Sequence, residues 1–157
     1  MSHRHLIIAA ALVAVFGEFA GYRWAPWRES PREAWDAISG AAVACDYGAV
    51  WDRFDPASQA RYAPELWTFA EMTAPDRSAG MTDRERYALL LETRADLRAQ
   101  FLPGPVVEVR EHGDRASVRL DRPDPTDRSP FPEPTSGVYL ARHGGRWCLS
   151  FWAGAPE

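Results

Sequence analysis

The spacing of apolar residues changes near Val106, and this change divides the chain after its N-terminal segment into two halves. Before Val106, apolar residues recur every three or four positions, as on one face of a helix. After it, they recur every second position, which is typical of strands. The pattern therefore predicts an α+β fold in which helices pack on an antiparallel sheet.

Capping signals delimit about four helices in the first half. Ser30, Pro31 and Glu33 predict a capped start for the first helix, whose buried stripe runs from Trp35 to Cys45. Pro64 is expected to bend or split the third helix, and residues 74–81 are expected to form a loop. The predicted helices cover residues 30–45, 46–54, 55–72 and 82–101.

Two hairpins are predicted in the second half. In VVEVREHGDRASVRL, a turn at Gly113-Asp114 pairs Val109 with Val118 and Val107 with Leu120. In VYLARHGGRWCLSFW, a turn at Gly144-Gly145 predicts the second hairpin. It pairs Leu140 with Leu149, Val138 with Phe151 and Arg142 with Trp147. A proline-rich crossover, DRPDPTDRSPFPEPTSG, joins the hairpins, so a four-stranded antiparallel sheet is expected.

The N-terminus is predicted to be a signal or transmembrane anchor over residues 1–22, followed by a linker over 23–30 and one domain over 31–157. Residues 6–17 carry no charge, and Tyr22 begins an aromatic cluster typical of a membrane interface. The membrane is therefore an expected partner through residues 6–22, with the domain outside the cytoplasm. Two alternatives remain open: a cleaved signal that leaves a periplasmic or secreted protein, and a buried soluble helix.

Composition narrows the chemistry. The formal charge is −4 and no basic stripe is visible, so nucleic acid is not an expected partner. Because the chain contains no lysine, Schiff-base chemistry is excluded. The two cysteines lack metal-site spacing, so no metal and no cofactor are expected. Cys45 is assigned to the inward stripe and Cys148 to the outer sheet face, so two separate thiols are favoured over a disulfide.

Two stretches, AWDAISGAAVACDYGAVWDRFDPASQARY and the pair of hairpins ending in Gly145-Arg146-Trp147, resemble nuclear-transport-factor-2-like domains of exported bacterial proteins. The resemblance covers residues 31–152 and implies helices packed into a curved, cone-shaped sheet. Some members of the family are isomerases or dehydratases, so the resemblance also implies that the cone could serve an enzyme of this kind. The helix TDRERYALLLETRADLRAQF departs from the family pattern as a substantial addition.

The predicted inward strand positions carry no titratable side chain except Glu111 and Arg142, which share this parity but sit at strand ends beside turns. A non-enzymatic binding or scaffolding module of the envelope is therefore the leading expectation. The alternative is a small-molecule carrier or an isomerase- or dehydratase-like enzyme that uses the cone. Six residues are candidates for a ligand pocket: Trp51, Tyr62, Trp67, Tyr87, Arg94 and Arg142. Tyr139, Cys148 and Trp152 are candidates for contact with an envelope protein or a second copy through the outer sheet face. The competing interpretation is that the crossover, with Phe131, covers this face.

Overall fold

The computed structural model describes residues 29–122 and 136–150, and it has the α+β architecture that the sequence predicts. Helices come first and a four-stranded antiparallel sheet follows. The helices are α1 (Pro31–Val43), α2 (Tyr47–Trp51), α3 (Pro56–Thr73), α4 (Pro75–Ser78), α5 (Asp83–Thr93) and α6 (Ala95–Ala99). The strands are β1 (Val106–His112), β2 (Arg115–Leu120), β3 (Ser136–His143) and β4 (Arg146–Leu149).

The described residues contain six helices instead of the four predicted, for two local reasons. The predicted loop over 74–81 contains the short helix α4. The predicted helix over 82–101 is interrupted at Arg94, whose φ of −108° and ψ of 89° leave the helical region. The third helix, in contrast, continues through Pro64 without a split.

Helix α1 begins with the predicted capping box. The backbone N–H of Ser30 donates to Glu33 Oε2 at 2.7 Å, and the backbone N–H of Glu33 donates to Ser30 Oγ at 3.2 Å. Its buried face includes Trp35 and Ile38, which pack against strands β1, β2 and β4. Helix α1 therefore covers the inner face of the sheet.

The end of α1 contradicts the assignment of Cys45 to the inward stripe. Cys45 is exposed and has a φ of 59°, in the left-handed region. Its N–H bonds to Ala42 O at 3.1 Å, while the N–H of Asp46 bonds to Ala41 O at 2.9 Å. This is a Schellman motif, in which glycine is the usual left-handed residue. The helix thus ends before its apolar stripe reaches Cys45.

We expect Cys45→Gly to stabilise the protein by roughly 0.5–1 kcal/mol, because glycine removes the steric cost of the left-handed conformation but adds entropy to the unfolded chain. Cys45→Ala, which keeps a Cβ at the same position, serves as the control and should leave stability nearly unchanged. Urea unfolding of the three proteins measures the difference. Equal midpoints for Gly and Ala would show that the backbone at this position is not strained.

The sheet is a meander with the order β1-β2-β3-β4. The pairs Val109–Val118, Leu140–Leu149 and Arg142–Trp147 are confirmed. The predicted pair Val107–Leu120 is wrong, because a bulge between Val106 and Glu108 pairs Val106 with Leu120 instead. The bulge adds one residue to β1, and Val107 is 52% exposed instead of buried.

The free side of β4 is partly covered by the segment between α2 and α3. The N–H of Asp55 donates to Leu149 O at 3.0 Å, and the N–H of Leu149 donates to Arg53 O at 2.7 Å. Phe54 and Leu149 thus form a parallel bridge. The segment covers β4, while among the described residues β1 pairs with β2 alone.

Several predictions fall on residues that the structure does not describe. The anchor over 1–22, the strand partner Phe151 and the aromatic residues Phe131 and Trp152 lie outside the described residues. Within the described ranges, no helix is both long and apolar enough to cross a bilayer.

Candidate functional site

The outer sheet face, defined here by Glu108, Arg110, Arg115, Ser117, Arg119 and Tyr139, is the candidate site. Pairing of β2 with β3 places Ser117 between Arg110 and Tyr139 in one cross-strand row. Directly opposed residues share a face of an antiparallel sheet, so these side chains lie together on the side away from α1. The neighbouring row joins Glu108, Arg119 and Gly137.

Tyr139 is 37% exposed at the centre of this face. A Cβ added at Gly137 would lie 3.9 Å from the Tyr139 hydroxyl, so the tyrosine leans along β3 over the glycine. Glycine leaves the space for this position because it has no side chain of its own. The result is an aromatic ring accessible from solvent, with Arg119 and Arg115 in the cross-strand rows on either side of it.

The charge on the outer sheet face is predominantly positive. Glu108 accepts hydrogen bonds from Arg110 at 2.7 Å and from Arg119 at 3.2 Å. These contacts, led by the hydrogen bond from Arg110, lower the pKa of Glu108 below its usual value. Arg115 forms no ion pair with any described residue. The three arginines outnumber the single carboxylate, although the whole chain has a net charge of −4.

Cys148, the second predicted contact residue, is buried at the β4 end of the same face and is only 7% exposed. Burial raises the pKa of its thiol. The charges of Asp55, Arg53 and Glu29 also influence the pKa of this thiol, but less than burial does. Arg53 and Glu29 form an ion pair of 2.7 Å whose side chains are mostly buried. Both cysteines are free thiols.

Three of the six predicted pocket residues come together as core. The Trp51 and Tyr87 rings lie 5.2 Å apart, and Phe54 lies 5.4 Å from Tyr87 and 6.3 Å from Tyr62. Phe101 packs on Phe54 at 6.4 Å. Burial raises the pKa of Tyr87 well above its usual value. These rings pack together in the core beside α2, α3 and α5.

The other three predicted pocket residues are dispersed. Trp67 is 38% exposed on α3, with the Arg86 guanidinium 4.3 Å from its ring centroid. Arg94 is exposed and pairs with Asp96 at 2.7 Å, which lowers the pKa of Asp96 to about 2. Arg142 pairs with Glu111 at 3.0 Å and stacks on the buried ring of Trp147 at 4.5 Å. The structure therefore does not assemble the six residues into one site.

Sequence reasoning missed two buried charged residues. Arg86 donates to Asp83 Oδ1 at 2.6 Å within α5, and it joins α5 to α4 by donating to Ser78 O at 3.1 Å. Asp55 is the N-cap of α3 and also contacts β4 through its backbone. The sequence Asp55-Pro56 does indicate a helix start, so the cap itself could be predicted. The burial of Asp55 could not be, because it depends on strand β4, which is distant in sequence.

The described residues contain no group of three or more histidine, cysteine, aspartate or glutamate side chains arranged to hold a metal ion. Comparisons with models of protein families, with curated proteins and with solved structures found no match to this chain. The outer sheet face is therefore interpreted from the exposure and charge of its own side chains.

Proposed function

We propose that the protein is a non-enzymatic binding or scaffolding module of the cell envelope that contacts a partner protein through its outer sheet face. Residues 6–22 hold it at the membrane, and the domain lies outside the cytoplasm. The nuclear-transport-factor-2-like cone is our proposal for the complete fold. It is supported by helices that pack on one face of a four-stranded meander.

One observation carries this proposal: an exposed tyrosine stands among arginines on a protein of net negative charge. Tyrosine and arginine are the residue types enriched where proteins contact each other. Arginine presents a planar fork of donors that matches carboxylates. The partner surface is therefore expected to be acidic.

The interior favours a binding module over a small-molecule carrier. The rings of Trp51, Phe54 and Tyr87 lie within 5.2 to 5.8 Å of one another, a separation typical of packed aromatic pairs. A carrier requires room for its ligand in that region. We therefore place the binding function on the outside of the sheet.

The test combines Tyr139→Ala with Arg115→Glu in the full-length protein. Extracted from bacterial membranes in a mild detergent, the wild-type protein is expected to migrate in a complex with its partner protein, and this double variant is expected to migrate without that partner. The reason is the loss of the aromatic contact together with a reversed charge. Light scattering after size-exclusion chromatography gives the masses.

The matched control is Trp67→Ala with Arg77→Glu on the helical side of the molecule. Trp67 is exposed to the same degree as Tyr139, at 38% against 37%. Arg77 is exposed like Arg115. The control is expected to keep the complex with the partner protein. An unchanged complex in the Tyr139 and Arg115 variant, or equal loss in the control, would contradict the proposal.

A further inference from the structure

Within residues 29–122 and 136–150, strand β1 is an edge strand of the sheet, and it has exposed apolar side chains. Val107 is 52% exposed and Val109 is 38% exposed. Soluble proteins usually protect a long edge with lysine, proline or a covering segment. Strand β1 is seven residues long and contains neither lysine nor proline. It does carry the charged side chains of Glu108, Arg110 and Glu111 and a bulge at Val107, which lies near one end of the strand.

The turn fixes which backbone groups of β1 face the open edge. The two residues Gly113 and Asp114 close the hairpin on the pair His112–Arg115. In such hairpins this closing pair is hydrogen-bonded, and hydrogen-bonded pairs then alternate along the ladder. The backbone of Arg110 therefore points toward β2. The N–H and C=O groups of Val109 and Glu111 point toward the open edge.

We propose that β1 pairs with β1 of a second copy of this chain, antiparallel about a two-fold axis through Val109. Val109 then forms the central hydrogen-bonded pair with Val109 of the second copy. The two sheets become one continuous sheet, and both outer sheet faces lie on the same side. This inference does not rest on the proposed function, because it concerns pairing of the β1 backbone with a second copy, although Glu108 and Arg110 also belong to the outer sheet face.

Among the four central positions of β1, from Glu108 to Glu111, the charges select this register. A two-fold axis perpendicular to the sheet leaves each side chain on its own face, so outer residues of one copy lie opposite outer residues of the other. The axis therefore lies between a residue and its own copy, and it cannot lie midway between two neighbouring residues of one strand. An axis through Glu108, Arg110 or Glu111 places that residue opposite its own copy, and like charges directly opposite each other are destabilising. An axis through Val109 places Glu108 opposite Arg110 of the second copy, and symmetry repeats this pair.

The side chains are available for the new contacts. The Arg110 side chain is 62% exposed, and its ion pair to Glu108 uses the Nε donor. A guanidinium has further donors, and a carboxylate accepts more than two hydrogen bonds. The bulge at Val107 confines regular pairing to a few residues, so the interface is small and the dimer is weak.

Charge reversal tests the register. In Glu108→Arg, arginine faces Arg110 of the second copy; in Arg110→Glu, glutamate faces Glu108 of the second copy. Each variant alone is expected to dimerise at least about tenfold more weakly than the wild type. An equal mixture of the two variants restores opposite charges at both positions and is expected to recover the wild-type dimer as a heterodimer. Sedimentation equilibrium of the full-length protein in density-matched detergent measures the dissociation constants.

The mixture guards against misfolding, since only folded strands can restore the dimer. Glu71→Arg, an exposed reversal on α3, is the control and should keep wild-type dimerisation. Three results would overturn the proposal: a wild type that stays monomeric at the highest concentration, a dimer that both reversals leave intact, or a mixture that does not recover.

Discussion

Replacing Trp147 by alanine is expected to cost about 3–5 kcal/mol of unfolding free energy. The side chain is fully buried and belongs to the core that α1 and the sheet enclose. Its removal loses the transfer free energy of a large aromatic group and leaves a cavity. Because small domains are stable by only about 5–15 kcal/mol, the variant should unfold at a much lower urea concentration.

Trp67→Ala is the matched comparison, since it deletes the same side chain at a position that is 38% exposed. It removes the ring beneath the Arg86 guanidinium and is expected to cost about 1 kcal/mol. Similar losses for the two variants would contradict the placement of Trp147 in the core and Trp67 at the surface. Fluorescence and circular dichroism during urea unfolding supply both values.

Replacing Asp55 by alanine is expected to cost about 2 kcal/mol, at the high end for an N-cap. The Asp55 carboxylate accepts a hydrogen bond from the Ser58 backbone at 2.9 Å and one from the Ser58 hydroxyl at 2.8 Å. Ser58 is fully buried, so the substitution leaves its polar groups without this partner. Asp46→Ala removes the exposed cap of α2 and should cost less.

The same carboxylate gives the stability a defined pH dependence. Burial acts to raise the pKa of Asp55, but hydrogen bonds led by the one from the Ser58 backbone outweigh it, and the pKa lies below its usual value. A lowered pKa in the folded state stabilises the protein above the unfolded pKa of about 3.9. This contribution is lost as the pH falls through the folded value.

The pH dependence of the unfolding free energy is tested by comparing the wild type with Asp55→Asn, whose side chain does not titrate. The wild type should be the more stable protein near neutral pH, and the difference in unfolding free energy should shrink as the pH falls below about 4. A difference that stays constant with pH would show that the Asp55 charge does not contribute to stability.

The hairpins were predictable because two local signals agree in each. Turn residues at Gly113 and Gly144 fix the loop, and alternation fixes the face. The bulge at Val107 was not predictable, because positions 106 and 107 are both valine and the sequence does not show which of them pairs with Leu120. The end of α1 was missed for a similar reason, since Cys45 occupies a left-handed position that glycine usually marks.

The candidate site depended on contacts that sequence spacing does not reveal. Alternation along the strands places Arg110, Arg119 and Tyr139 at outward positions, but only the pairing of β2 with β3 brings them together. A proline-rich crossover separates those strands, so no turn fixes their register. Cys148 was expected beside Tyr139 at the surface, but the segment from Arg53 to Asp55 adds to β4 and a buried ion pair lies near the thiol.

Site-specific photocross-linking in living bacteria tests most directly whether the outer sheet face contacts a partner. A photoreactive amino acid is placed at position 139 in one strain and at position 72 in another, because Met72 is highly exposed on the helical side. The proposed function predicts a discrete cross-linked product to another envelope protein from position 139 and none from position 72. Equal products from both positions, or none from position 139, would contradict it.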